Sequence, residues 1–178
     1  INGGIGNTNG STLRSDPFLA NAGDDLQFWF NYVTSDGAGF ADYAWARLLD
    51  ASNTEVALLF TARTKASGSI VPGFGMPVPL ATLLPATVPI IAGAPAWAPL
   101  GVSTTSCYST GCGYTGWVQA NYAILSAGTF SVEYGVTNWS DTHFDSGLAF
   151  SGLTIEGAAV NTQVVPVPAA AWLFGSGL

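Results

Sequence analysis

Alternation with a period of two residues runs through this chain and commits most of it to β-sheet. Between residues 128 and 138, Phe130, Val132, Tyr134 and Val136 fall on one face, and Ser131, Glu133 and Thr137 on the other. Successive side chains of a strand point to opposite sides, so this spacing buries one row and turns the other outward. Residues 26–33 repeat it, with Leu26, Phe28, Phe30 and Tyr32 sharing a face. Residues 42–50 alternate Tyr43, Trp45, Arg47 and Leu49, then turn at Ser52-Asn53 into residues 55–63, a predicted hairpin. Residues 116–124, 147–155 and 160–167 read as further strands. No amphipathic helical period is present. Many short strands between Gly, Asn and Asp turns predict an all-β fold, an antiparallel β-sandwich.

Two features interrupt that pattern. Residues 67–101 hold seven of the ten prolines, separated by Leu, Ile, Val and Ala. Proline donates no ladder hydrogen bond, so this density excludes central strands and long helices. Residues 66–106 are therefore read as a long Pro-rich apolar insertion, either an interface or covering flap, or a packed structural element. The second interruption is electrical: no Asp, Glu, Lys or Arg occurs from Ala66 to Val132. A solvated surface normally carries charge at roughly a quarter to a third of positions, so part of this block is expected to be covered, by the domain itself or by other subunits. At 178 residues one domain is expected, with an extended or flexible arm over residues 1–11 and the sandwich over 12–164. A net charge of −7 with four basic residues argues against nucleic acid as a partner.

Cys107 and Cys112 are the two cysteines, and with one histidine in the chain they do not make a metal site. They are read as a disulfide pinning a Gly-rich loop, which implies an oxidising compartment. The lone His143 lies between Asp141 and Asp145 without a nucleophile elbow, and reads as an exposed loop residue. Glu55, Glu133 and Glu156 fall in or at the ends of predicted strands and do not form a convincing catalytic pair. No enzymatic activity is expected. Asp24, Asp25, Asp36, Asp42, Asp141 and Asp145 lie in turns; the first four and Asp145 are the candidates for binding calcium through carboxylate oxygens. The same residues cap turns equally well. Tyr114, Trp117 and Trp139, with Tyr108 nearby, are candidates for a flat aromatic platform that stacks on sugar rings, or for core.

The C-terminal run Val165-Pro166-Val167-Pro168, followed by Ala169-Ala170-Ala171-Trp172-Leu173-Phe174-Gly175-Ser176-Gly177-Leu178, resembles the start of a bacterial PEP-CTERM sorting signal. Val167 stands where that family usually has Glu, and its basic tail is absent. Ten apolar residues do not span a bilayer, which takes about 20. The Ser35-Asp36-Gly37 turn, Phe40-Ala41-Asp42-Tyr43 and Asp145-Ser146-Gly147-Leu148-Ala149-Phe150 are similar to the jelly-roll ectodomains that precede such tails. This resemblance implies an exported, processed surface protein with a jelly-roll-like sandwich, meeting the membrane only transiently through its sorting signal.

These readings converge on an extracellular structural or matrix protein that associates with itself. The expected contact is donation of a terminal strand, with Val165, Pro166, Val167, Pro168, Trp172, Leu173 and Phe174 as the apolar tail. The alternative is a module that binds exopolysaccharide, with calcium as its candidate cofactor.

Overall fold

Residues 7–160 are described by the computed structural model of the chain. They contain β1 (Asn7–Arg14), β2 (Phe18–Ala20), β3 (Asp25–Thr34), β4 (Tyr43–Asp50), β5 (Glu55–Arg63), β6 (Ser69–Val71), β7 (Thr82–Leu84), β8 (Val88–Pro89), β9 (Ile91–Ala92), β10 (Gly113–Tyr114), β11 (Val118–Ala123), β12 (Gly128–Trp139), β13 (Ser146–Ile155) and β14 (Ala158–Ala159). One 3-10 turn, Gly101–Ser103, is the helical structure among the described residues. The first sheet runs β1-β12-β4-β5, with β2 beside the start of β12. The second runs β14-β13-β3; beyond β3, β11 and then β7 continue one half of the sheet, and β10 and then β9 the other. Strands β6 and β8 form a separate ribbon, and every pairing is antiparallel.

Aromatic rings from both sheets meet in the middle. Phe30 of β3 stacks on Phe60 of β5 with centroids 3.8 Å apart, and Phe28 meets Tyr134 of β12 edge-on at 5.3 Å. Removing each such ring from water contributes about 1.5–3 kcal/mol. The core-facing row of β4 is Ala44, Ala46 and Leu48, with two small residues among the rings. The larger row of β4, Tyr43, Trp45, Arg47 and Leu49, therefore faces away from this core. Trp45 lies across β12 where Gly135 leaves room; a Cβ there would come within 2.2 Å of the indole.

The row of β12 expected to face solvent is itself covered: Ser131, Glu133 and Thr137 are buried. Glu133 sits between Arg14 at 2.8 Å and Arg47 at 2.6 Å. Burial opposes its ionisation, but these two guanidinium groups outweigh it and hold the carboxyl below its ordinary value. Residues 7–11, read from sequence as an arm, belong to β1 and pair with β12.

The Pro-rich segment is packed. Ile70, Val71, Leu83 and Val88 join the main core, and β7 adds an edge strand to the second sheet by pairing with β11. Pro85 follows β7 directly, at an edge, where a missing N–H is tolerated.

Candidate functional site

Among the described residues, the outer face of the second sheet groups exposed tryptophans with uncharged polar side chains. Because Leu26, Phe28, Phe30 and Tyr32 of β3 point into the core, Gln27 and Trp29 point out, while Asn31 and Val33 lie on the same side of the sheet but are buried. Register places Gln119 of β11 and Ser151 of β13 on either side of Trp29, and Asn121 and Thr154 on either side of Gln27. Leu84 and Thr82 of β7 extend the face past Gln119 and Asn121. Trp117, one residue before β11, is 52% exposed, and Trp29 is 39% exposed. From the strand spacing and the two-residue offset, their backbones are roughly 8 Å apart. The Gln27 amide donates to Asn121 Oδ1 at 2.8 Å, which fixes one pair of amides in the plane of the sheet.

A bulge lies beside Trp29. Register between β13 and β3 shifts between Ser151 and Thr154. Gly152 sits in that shift with φ +65, and a Cβ on it would lie 3.5 Å from the indole. No Asp, Glu, Lys or Arg lies on the face between Thr154 and Leu84; Asp25 and Glu156 stand at its end, where the Asp25 N–H donates to Glu156 Oε1 at 2.6 Å. The surface thus offers two half-open indoles, several amides and hydroxyls, and no charge. Scattered exposed apolar residues are ordinary on a protein surface, but large ones grouped among polar side chains mark a place of interaction.

The expected platform of Tyr114, Trp117 and Trp139 is not one surface. Trp117 belongs to this face. Tyr114 is half-buried beneath Trp97, whose ring meets it edge-on at 5.8 Å. Trp139 ends β12 in the other sheet, with the Arg63 guanidinium 5.3 Å from its ring. Tyr108 packs against Phe144 at 4.9 Å in the disulfide loop. The sequence reading missed Trp29, Gln27, Gln119 and Asn121. Their signal was the unused half of the alternation: whatever lies between the core residues of β3 and β11 must face out.

The five aspartates offered as calcium ligands are likewise divided. Asp24 and Asp25 begin β3, whereas Asp36 stands beyond its other end, about 30 Å away for a ten-residue strand. Asp24 accepts the Asn21 N–H at 2.7 Å and serves as a turn cap. Asp36, Asp42 and Asp145 do share one end of the sandwich. Asp145 accepts from Asn138 Nδ2 at 3.3 Å, and its carbonyl from the Ser35 hydroxyl at 2.8 Å. Asp42, fully buried, accepts the Trp139 N–H at 2.8 Å and the Ser146 hydroxyl at 2.6 Å. Burial, with the nearby charges of Asp36 and Asp141, pushes its carboxyl up to about 7. Burial and Asp141 push Asp36 up to about 6, although the Gly37 N–H donates to it at 2.6 Å. Among the described residues no three His, Cys, Asp or Glu side chains converge as metal ligands, so the five do not form one calcium site. His143 is exposed in the same loop, its backbone N–H donating to Asp141 at 2.8 Å.

Cys107 and Cys112 form a disulfide, Cα atoms 5.6 Å apart, in a loop that lies on the Ser35–Ala38 turn through the Tyr108 and Ala38 N–H groups. A disulfide belongs to a non-reducing environment. Among the described residues no helix is long and apolar enough to cross a membrane. The apolar tail residues Val165, Pro166, Val167, Pro168, Trp172, Leu173 and Phe174 lie outside the described residues. Compared with known proteins, the chain matches no family model, no curated protein and no solved structure.

Proposed function

We propose that this protein is a non-catalytic, extracellular, jelly-roll-like module of a bacterial surface or matrix, and that it binds a neutral exopolysaccharide on the outer face of its second sheet. The observation that carries this reading is the pair of half-open indoles, Trp29 and Trp117, set among amides on an uncharged sheet face. A sugar ring has an apolar C–H face and a rim of hydroxyls. Indoles match the first, and the side chains of Gln27, Gln119, Asn121 and Ser151 match the second. The net charge of −7 disfavours acidic polymers through long-range repulsion and leaves neutral ones unaffected. The disulfide and the resemblance of residues 165–178 to a sorting signal both support a location outside the cell.

The test is affinity electrophoresis in gels cast with neutral or acidic polysaccharides, using the intact chain, Trp29→Ala and Trp117→Ala. Retardation by a neutral glucan or mannan, weakened about tenfold by each substitution (about 1.4 kcal/mol), is the expected result. Retardation that neither substitution alters would remove the face from consideration.

A second reading, a structural subunit that associates with itself, is favoured by a separate observation. Among the described residues, ten of the thirteen exposed large hydrophobic residues fall within the uncharged segment 66–132, Val78, Leu80, Trp97 and Val102 included. Contact between copies would cover them. Sedimentation and electron microscopy of the intact chain test this reading, and a monomer at every concentration refutes it.

A further inference from the structure

The outer face of the second sheet is closed at one end. Beyond Trp29, the same side of β3 carries Val33, and register sets Tyr114 of β10 and Gly147 of β13 on either side of it. Segment 97–100 lies across these three strands. Trp97 meets the Tyr114 ring at 88° with centroids 5.8 Å apart. Ala98 and Leu100 pack on Val33. Leu100 also reaches Gly147, where an added Cβ would lie 3.0 Å from its Cδ2. This cover is why Val33 is buried although it is on the outer side of the sheet. A chain segment laid on a sheet stands above it, so residues 97–100 form a wall across the strands.

The wall is held at both ends. Before it, Ile91 and Ala92 of β9 pair with Tyr114 and Gly113. After it, the Asp145 N–H donates to the Ser103 hydroxyl at 3.2 Å, and the Leu100 N–H donates to Thr104 Oγ1 at 3.0 Å. Pro95 and Pro99 fix φ at two positions beside and within it. A side chain carried on such a segment is already placed when a ligand arrives, which spares the entropy of ordering it on binding.

Trp97 is 49% exposed and is a third half-open indole on this side of the sheet. It sits on Tyr114, level with Val33; Trp117, one residue before β11, is level with Asn31; Trp29 is one step further along β3. Each step of two residues is about 7 Å along the strand. The three tryptophans therefore follow the strands rather than crossing them, and their line ends at the wall. A chain of sugars stacked along that line meets the wall with its first ring. We infer that Trp97 is a third sugar-contacting residue, and that the wall makes this face a site for the end of a neutral glycan chain rather than for its interior. This assignment rests on the glycan reading of the same face and adds the direction in which the ligand lies and where it stops.

Competition in affinity electrophoresis tests it. The gel carries a linear neutral glucan or mannan, and the soluble competitor is the same polysaccharide, either at full length or cut by limited hydrolysis to chains tenfold shorter. Per unit mass the cut material has tenfold more ends. The expected result is half-competition at about tenfold lower mass of the cut material, with retardation of Trp97→Ala at least fivefold weaker than that of the intact chain. Equal potency of the two competitors by mass overturns the inference, because chain interiors are then bound. Unchanged retardation of Trp97→Ala, beside a loss in Trp29→Ala or Trp117→Ala, also overturns it and leaves the glycan reading standing. If no neutral polysaccharide retards the intact chain, that reading falls and this inference falls with it. Should Trp97→Ala fail to fold, the two competitors against the intact chain decide alone.

Discussion

Stability should fall as pH rises from 5 to 8, and Asp42 should be the main reason. Its carboxyl is fully buried and faces Asp36, Asp141 and the Tyr32 hydroxyl. Its two hydrogen bonds, from the Trp139 N–H and the Ser146 hydroxyl, favour the ionised form but do not offset burial. The folded protein therefore holds a proton up to about pH 7, whereas the unfolded chain releases it near 3.8. A folded-state value above the unfolded one contributes stability that is complete below the unfolded value and is lost as pH rises through the folded value. Between pH 5 and 8 the loss spans two units, about 3 kcal/mol at 1.36 kcal/mol per unit. Asp36, raised to about 6, adds a smaller loss of the same sign.

Urea unfolding between pH 5 and 8 measures this. With a slope of about 2 kcal/mol per molar, the midpoint should drop by roughly 1.5 M. Asp42→Asn is the control that isolates the group. Its amide keeps an oxygen for the Trp139 N–H and carries no charge at any pH, so most of the slope should vanish. At pH 8 the variant should equal or exceed the parent despite an imperfect contact with Ser146. General repulsion among the chain's acidic groups also grows with pH, but it would act on both proteins alike. A midpoint that is flat across this range, or an Asp42→Asn variant that keeps the full slope, refutes the reasoning.

Particular contacts set further outcomes. Gly135→Ala should destabilise by about 1–3 kcal/mol, since the new methyl group overlaps the Trp45 indole; Trp45→Leu in the same chain should recover part of that loss in thermal unfolding. Glu133→Gln should cost about 1–3 kcal/mol at pH 7, because Arg14 and Arg47 lose a shared charged partner. The sign of its pH dependence is opposite to that of Asp42: the folded-state value is lowered, so the contribution is present above pH 4.5 and lost as pH falls through the depressed value. Replacing both Cys107 and Cys112 with Ser should lower stability by about 2 kcal/mol, the chain-entropy value for so short a loop, as read from urea midpoints.

Much of this architecture was legible in the alternation of the chain. Six of the long strands occupy the segments that the period-two rows marked, because each row has to reach a core on one side only. Function was less legible for a related reason. Alternation says that Trp29 faces away from Phe28 and Phe30, but not that β11, which follows Trp117, lies beside β3, nor that β7 lies beyond β11; those pairings join Trp29 to Gln119 and Gln119 to Leu84, residues far apart in sequence. The aspartates misled in the opposite sense. Turn residues rich in Asp look like open loops, yet Asp36 and Asp42 are enclosed by the disulfide loop and by the end of β12, elements that no local pattern links to them.

The Pro-rich segment gives the same lesson in a third form. Its prolines excluded central strands, and β7 respects this by standing at the edge with Pro85 directly behind it. What the prolines could not convey is where its apolar residues would go. Ile70, Val71, Leu83 and Val88 entered the core, while Val78, Leu80, Trp97 and Val102 stayed outside, in a segment of sequence that carries no charged residue. A segment that divides its apolar side chains between the core and the surface has one half of its composition explained by folding. The other half stays at the surface, and it is this half that supports the proposal that the domain works in company, whether with a polysaccharide or with copies of itself.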